Sequence, residues 1–332
     1  MAIAADDYIR GVLAGDRTLL ARTITLIESN SPRHTEQARQ VLEALLPHSG
    51  QALRIGITGV PGVCKSTFIE ALGMKLCEAG HRVAVLAVDP TSSLSGGSIL
   101  GDKTRMENLS RHEHSFIRPS PSGGAWGGVG RKSRESVLLC EAAGYDIVLV
   151  ETVGVGQSET LVHSMVDCFV VLMLAGAGDE LQGMKKGIIE LADLLVMTKA
   201  DGENRLRAEQ AAGDLRMVVR LLASITPGWE TRVVLTSSLQ GLGIDELWQS
   251  VLDYQEQTRA SGFFVEKRRR QNGEWLKALV GEELNRMFFE HPAVQRRWPE
   301  TLLLVEQGKL PLLTALQRLK TAFNTGDESS FS

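Results

Sequence analysis

The sequence predicts a doubly wound α/β domain around a mostly parallel sheet, with helical extensions at both ends. Six short runs rich in Val and Ile alternate with helical patterns through the middle of the chain. These runs are continuously apolar, which is typical of strands buried on both faces of a parallel sheet. On either side of this region, apolar residues recur at the three-to-four spacing of amphipathic helices.

These patterns divide the 332 residues into three regions, 1–47, 48–258 and 259–332. In the first region, one helix is predicted through the apolar positions Ile9 to Ile27 and a second around Gln37–Leu46, with a break at Ser29–Pro32. The last region is predicted to be helical again. The predicted strands are Leu53–Thr58, Val83–Val88, Ile147–Val150, Phe169–Leu174, Leu194–Met197 and Val233–Leu235.

Composition excludes several classes of protein. Lys and Arg number 36 against 40 Asp and Glu, a formal net charge of −4 that argues against sequence-independent nucleic-acid binding. The longest apolar stretch, Cys168–Ala175, is far shorter than the ~20 residues that span a bilayer. The first residues lack the order of a signal peptide, and the four cysteines are too sparse for a disulfide framework. We therefore expect a cytoplasmic protein with no membrane insertion and no nucleic-acid partner.

A glycine-rich turn follows the first predicted strand and precedes a helical pattern, which is the context of a phosphate-binding loop. Backbone N–H groups of such a loop surround nucleotide phosphates. Lys65 is expected to reach the β- and γ-phosphate oxygens, and Ser66 to bind Mg²⁺. The sequence therefore predicts a fold of P-loop NTPase type. The predicted phosphate-binding residues are Gly59, Val60, Pro61, Gly62, Val63, Cys64, Lys65, Ser66 and Thr67.

Cys64 departs from the usual pattern, which has glycine before the lysine. Glycine is favoured there because a Cβ atom would crowd a phosphate or force an unfavourable backbone conformation. A non-glycine residue held in such a conformation costs about 1–3 kcal/mol. We expect Cys64 to weaken nucleotide binding or turnover.

Acidic residues are predicted beside this loop. Glu151 ends an apolar run and is followed by Gly154, where GTPases normally have Asp-x-x-Gly; the acid organises Mg²⁺ and the glycine N–H meets the γ-phosphate. Asp89 follows the second strand, and Asp102 lies in a segment expected to switch. The candidate metal ligands are Ser66, Asp89, Asp102 and Glu151.

The position of a water-orienting glutamine is unusual. Many small GTPases place it directly after the Asp-x-x-Gly glycine, but Val155 fills that position here and Gln157 comes two residues later. We expect slow unassisted hydrolysis, with a partner supplying or positioning what is missing. The candidate catalytic residues are Lys65, Asp89, Glu151 and Gln157.

Residues Thr198–Asp201 end the fifth predicted strand and favour guanine over adenine. The Asp201 carboxylate can accept hydrogen bonds from both N1–H and the exocyclic N2–H of guanine, a pair that adenine does not offer, and the Lys199 stem packs along the base. Thr198 replaces the usual asparagine, whose amide ties the base site to the phosphate loop. Ser237 and Ser238 follow the last strand, in the place of a loop whose backbone meets guanine O6.

Five strings of residues carry a family resemblance. They are Val88–Ser92, Gly101–Met106, Arg118–Ser122, Glu151–Glu159 and Ala177–Gly183. On these residues the chain resembles the P-loop GTPases that have Glu in place of Asp in the third guanine-nucleotide motif. Within that class it is most similar to the ArgK/MeaB/MMAA subfamily, metallochaperone-like proteins that serve adenosylcobalamin-dependent methylmalonyl-CoA mutase.

The resemblance implies GTP hydrolysis to GDP with Mg²⁺, and a homodimer formed largely through the C-terminal helices. It also implies a partner mutase whose cofactor loading and protection are gated by GTP, with the segment Gly178–Lys186 signalling nucleotide state. By position, the resemblance assigns phosphate and Mg²⁺ contacts to Lys65 and Ser66. It assigns the acidic metal network to Asp89, Asp102 and Glu151, and the guanine contacts to Lys199 and Asp201.

Two other functions stay open. Some members of the subfamily carry an older label as kinases of basic-amino-acid (lysine/arginine/ornithine) transport systems, and such a kinase would prefer ATP. A metallochaperone that delivers a metal is a weaker alternative, because no Cys-x-x-Cys or His-rich tract is present to hold a soft metal. The Gly- and Pro-rich segment 119–131 is either a flexible linker or a loop that orders around a ligand, and its length inside a compact domain favours the functional loop.

Overall fold

The chain divides into two compact units, Met1–Gln271 and Asn272–Ser332. The first unit contains an α/β sheet and the second is helical. The division predicted at residues 47/48 and 258/259 stays a prediction, because functional regions need not coincide with compact units. The computed structural model describes residues 3–29, 31–60, 62–88, 106–118, 128–152, 158–175, 186–222 and 224–325.

Within these residues, seven parallel strands form one sheet in the order β3-β2-β4-β1-β5-β6-β7. This topology confirms the predicted doubly wound α/β fold. The strands are β1 (Leu53–Gly59), β2 (Val83–Val88), β3 (Ser115–Arg118), β4 (Ile147–Thr152), β5 (Cys168–Leu174), β6 (Leu194–Thr198) and β7 (Arg232–Leu235).

Both faces of the sheet are covered. Every residue of β2, β4 and β6 is buried, and consecutive residues of a strand point to opposite faces. The continuous apolar runs in the sequence therefore reflect burial between two helical layers. Polar groups are confined mainly to the ends of the strands.

Helices connect and flank the strands, and no helix among the described residues is long and apolar enough to cross a membrane. They are α1 (Ala5–Leu13), α2 (Arg17–Glu28), α3 (Pro32–Leu45), α4 (Lys65–Glu78), α5 (Glu107–Arg111), α6 (Gly128–Ala142), α7 (Ser158–His163), α8 (Lys186–Leu191), α9 (Arg205–Leu221), α10 (Ile244–Ala260), α11 (Phe263–Phe289), α12 (Pro292–Glu306) and α13 (Leu312–Thr325).

Two local predictions were wrong. The single helix predicted through Ile9 and Ile27 is broken into α1 and α2, because Gly15 has φ +72° and Asp16 starts a new helix. The Asp16 carboxylate accepts hydrogen bonds from the N–H groups of Thr18 and Leu19 at 2.8 and 3.0 Å, an N-cap. Strand β3 was not predicted, because it has only four residues and the two at its ends, Ser115 and Arg118, are polar.

A buried ion pair holds the start of α11 against the amino end of the sheet. Arg268 donates hydrogen bonds to both carboxylate oxygens of Asp167, at 2.7 and 2.6 Å. Asp167 directly precedes β5, and its side chain is 2% exposed. Arg268 also donates to the carbonyl oxygens of Gly50 and Ala52 at 2.5 and 2.6 Å, before β1. One guanidinium therefore joins three segments of the first unit.

The substitution Arg268→Ala is expected to lower the free energy of unfolding by about 3–5 kcal/mol, because the buried Asp167 carboxylate loses its ion-pair partner. Urea denaturation followed by circular dichroism measures this. The matched control is Arg39→Ala, which removes exposed pairs with Glu36 and Glu43 and should change stability little. Similar effects of both substitutions would contradict the assignment of Arg268 as an anchor.

Candidate nucleotide-binding site

The predicted site residues that the structure describes gather at the carboxyl edge of the sheet. Strand β1 lies between β4 and β5, and the chain passes from β1 to one side of the sheet and from β4 to the other. Ligands of doubly wound folds bind outside the carboxyl ends of the strands at such a reversal. The described residues that meet there come from the end of β4 and from the turns after β1, β6 and β7.

The loop after β1 combines a close approach to the sheet with open space. A Cβ atom on Gly59 would lie 2.6 Å from the carbonyl oxygen of Leu172, so only glycine fits there. Gly62 has φ +82°, and a Cβ atom built on it would meet no atom within 4 Å. Val60 and Val63 are buried and fix the loop to the core. Helix α4 begins at Lys65, and the first N–H groups of a helix lack intrahelical partners.

Cys64 occupies the left-handed region of backbone conformation, with φ 61° and ψ 51°. The sequence predicts that a side chain here either crowds a phosphate or forces an unfavourable backbone conformation. The structure shows the unfavourable conformation. A left-handed conformation costs a non-glycine residue about 1–2 kcal/mol. The side chain is exposed, and its thiol donates to the Gly62 carbonyl oxygen at 3.5 Å.

Lys65 and Glu151 influence each other at the centre of the site. The Lys65 ammonium donates a hydrogen bond to the Gly59 carbonyl oxygen at 3.1 Å. Burial lowers the pKa of Lys65, and the charges of Glu151 and Glu159 oppose that shift. Glu151 is 5% exposed and lies in register with Ile57 of β1. Glu159, on α7, is a neighbour that spacing in the sequence does not reveal.

The turn after β6 is held by the turn after β7. The Ser237 hydroxyl donates a hydrogen bond to the Asp201 carboxylate, and the Ala200 N–H donates to the Thr236 carbonyl oxygen at 3.0 Å. Lys199 is exposed and has φ 55°. The sequence predicts a backbone role for Ser237, and the structure adds a side-chain role: its hydroxyl fixes the orientation of Asp201.

Thr198 contacts the phosphate loop, although the sequence predicts that this link is weakened. Its hydroxyl lies 3.1 Å from the Met173 carbonyl oxygen and 3.5 Å from that of Val63. Thr198 is 2% exposed. A hydroxyl donor thus stands where the usual motif has an amide.

Several predicted site residues lie outside the described residues: Pro61, Asp89, Asp102, Gly154, Gln157, and most of the segments 119–131 and 178–186. Of the four predicted metal ligands, the structure therefore describes Ser66 and Glu151. Within the described part of the chain, no three His, Cys, Asp or Glu side chains form a metal-binding group.

The described residues fit a nucleotide with its magnesium ion. The open space beside Gly62 and the N-terminus of α4 suit phosphate groups. Ser66 lies in the first turn of that helix, and Glu151 supplies a carboxylate, so both offer the oxygen ligands that Mg²⁺ prefers. Asp201, oriented by Ser237, suits the paired N–H groups of guanine.

Comparison with known proteins agrees with this arrangement. The family model described as "Methylmalonyl Co-A mutase-associated GTPase MeaB" matches residues 20–293. A putative GTPase from Caulobacter vibrioides is 52% identical, over 97% of this chain and 98% of that protein. GTPase ArgK from Escherichia coli K12 is 47% identical, over 96% of each chain.

A solved structure is similar over nearly the whole chain. The crystal structure of LAO/AO transport system kinase has a TM-score of 0.79 and 40% identity, and covers 98% of this chain and 100% of that one. Together with the family match and the two relatives, this places the chain in the family of methylmalonyl-CoA mutase-associated GTPases described as MeaB, and the chain is a P-loop GTPase.

Proposed function

We propose that this GTPase binds and hydrolyses GTP with Mg²⁺ at the carboxyl edge of its sheet, and that its nucleotide cycle gates cofactor loading and protection of an adenosylcobalamin-dependent methylmalonyl-CoA mutase. The observation that carries the guanine assignment is the Asp201 carboxylate, which the Ser237 hydroxyl orients. The mutase role is supported by the description of the family to which the chain belongs.

In this proposal the phosphate loop holds the triphosphate. Residues 59–67 other than Pro61 supply backbone N–H groups, and the Lys65 ammonium exchanges its contact with the Gly59 carbonyl oxygen for a phosphate oxygen. The charges of Glu151 and Glu159 favour the protonated lysine. Mg²⁺, when bound, neutralises charge on the phosphates. Ser66 and Glu151 would hold it, together with Asp89 and Asp102.

The base lies at the other end of the site. Asp201 accepts the guanine N1–H and N2–H groups, the Lys199 stem covers the ring, and the turn at Ser237 and Ser238 meets O6. Gly154 meets the γ-phosphate, and Gln157 is the candidate for orienting water. Since Val155 stands directly after Gly154, we infer that unassisted hydrolysis is slow and that the mutase accelerates it.

We also propose a homodimer through the C-terminal helices. Leu276, Val280, Leu284 and Met287 follow one another at helical spacing along one face of α11, and each is at least 49% exposed. Contiguous exposed apolar surface of this kind marks an interaction site. The helices of the second unit offer further exposed leucines, among them Leu303, Leu312 and Leu313.

The alternative is an ATP-dependent kinase of basic-amino-acid transport binding proteins. It is favoured by the similarity to LAO/AO transport system kinase, whose crystal structure is 40% identical to this chain. Preference for adenine nucleotides would distinguish it from the proposed function.

A cytoplasmic location also belongs to the proposal, and cell fractionation tests it.

GDP with Mg²⁺ is expected to protect the Cys64 thiol from alkylation by iodoacetamide. Cys64 is exposed and the other three cysteines are buried; burial raises the pKa of Cys77 to about 11 and also raises the pKa values of Cys140 and Cys168. Labelling near pH 8 should therefore select Cys64. At GDP ten times above its Kd, about a tenth of the protein is free, so labelling slows about tenfold.

Two controls accompany this experiment. Cys64→Gly should remove the rapid labelling, and ADP should give no protection. Asp201→Asn should lose protection by GDP and gain it from xanthosine diphosphate, because its amide N–H can donate to the xanthine O2 carbonyl. Protection by ADP as strong as by GDP would contradict the guanine assignment and favour the kinase.

A methylmalonyl-CoA mutase from the same organism is expected to accelerate phosphate release from GTP by about tenfold or more, because partner-supplied groups raise GTPase rates by large factors. The measurement is made on the wild type and on Cys64→Gly, with serum albumin as the control protein. If added mutase leaves the GTPase rate of Cys64→Gly unchanged, that result would contradict partner-assisted hydrolysis.

Leu284→Glu is expected to convert a dimer into a monomer, because it places a charge in the middle of the exposed α11 stripe. Sedimentation velocity measures the mass. Leu206→Glu, on α9, changes another exposed leucine and should leave the dimer intact. A wild-type protein that sediments as a monomer at micromolar concentration would refute the proposed interface.

A further inference from the structure

Backbone strain in the described residues is concentrated at two neighbouring turns. Among these residues, Cys64 and Lys199 are the two non-glycine residues with positive φ, at 61° and 55°. Cys64 directly follows Val63, and Lys199 directly follows Thr198. The hydroxyl of Thr198 lies 3.5 Å from the carbonyl oxygen of Val63. The two strained residues therefore flank one side-chain contact between the phosphate turn and the guanine turn.

This contact is enclosed by the core. Thr198 is 2% exposed and Val63 is 1% exposed, so water does not compete freely for the hydroxyl proton. The hydroxyl has one proton and two backbone acceptors, the Met173 carbonyl oxygen at 3.1 Å and the Val63 carbonyl oxygen at 3.5 Å. The first acceptor belongs to β5, which is paired with β6. The second belongs to the phosphate loop.

The Val63 carbonyl and the Cys64 N–H belong to one planar peptide group. Rotation of that group changes ψ of Val63 and φ of Cys64 together. A donor that holds the Val63 carbonyl oxygen therefore favours one value of φ at Cys64. The value in this chain lies in the left-handed region, which a side chain disfavours and glycine adopts readily.

We propose that Thr198 is a positioning residue for the nucleotide, whose hydroxyl holds the phosphate turn in its binding conformation against the strain at Cys64. The two departures from the usual motifs thus act as one coupled pair through the Val63–Cys64 peptide group. This inference rests on the proposed function, since the turn that Thr198 holds is the proposed phosphate site.

The coupling makes the effect of Thr198 depend on residue 64. With cysteine at 64, loss of the hydroxyl releases a strained turn, and nucleotide affinity falls. In a Cys64→Gly background the left-handed conformation is favourable by itself, so the same loss matters less. A purely structural hydroxyl between β5 and β6 would give equal effects in both backgrounds.

The test is a double-mutant cycle on the affinity for GDP with Mg²⁺, measured by calorimetry. Thr198→Val is expected to weaken GDP binding about fivefold in the wild-type background, the range of one net hydrogen bond, and less than about twofold in the Cys64→Gly background. Thr198→Ser keeps the hydroxyl and should restore the wild-type affinity. Equal losses in both backgrounds, or no rescue by serine, would overturn the proposal.

Thr231→Val is the matched control, because the Thr231 hydroxyl also joins two segments, donating to the Ala192 carbonyl oxygen at 2.9 Å before β6 and β7. It should leave GDP affinity unchanged. The same double-mutant cycle can be measured from urea midpoints without nucleotide. There Thr198→Val should shift the midpoint less in the wild type than with Cys64→Gly, because relief of the strain at Cys64 offsets part of the lost hydrogen bond. If no protein binds GDP, the proposed function fails, and additive midpoints would then separately overturn the coupling.

Discussion

Burial of a parallel sheet on both faces is the constraint from which the rest of this structure follows. Every residue of the strands β2, β4 and β6 is buried, so these strands offer no place for exposed polar chemistry along their length. Parallel strands end at the same edge, and the polar residues that follow them are brought together there. Glu151, Asp201 and the loop at Lys65 meet for this reason, although they are far apart in the sequence.

The site at that edge combines fixed and strained elements. Ser237 orients Asp201, and Gly59 fits closely against Leu172, so both ends of the site are set before a ligand arrives. Between them lie the left-handed residues Cys64 and Lys199. Backbone strain of this kind persists only where the surrounding contacts hold it. The buried hydroxyl of Thr198 lies 3.5 Å from the carbonyl oxygen of Val63, the residue before Cys64, and we propose that it holds the strained turn there.

The sequence is most informative where a pattern is long and local. The continuous apolar run Val83–Val88 predicts strand β2 with its observed bounds, whereas the four residues of β3 are too few and too polar to show a pattern. The break at Gly15 is missed because the apolar spacing continues across it. Side-chain contacts between distant residues are harder to predict. The hydrogen bond from Ser237 to Asp201, 36 residues away, was not expected. The link from Thr198 to the phosphate loop was expected only in weakened form, and its acceptor, Val63, lies 135 residues away.

The central claim is that the carboxyl edge of this sheet selects guanine nucleotides, and calorimetric titration of the Mg²⁺-loaded protein with GDP and then with ADP tests it most directly. The account predicts a saturable heat of binding for GDP, none for ADP, and a lower Kd for GDP in Cys64→Gly. Binding of ADP at least as tight as that of GDP, or no binding of either nucleotide by both proteins, would contradict it.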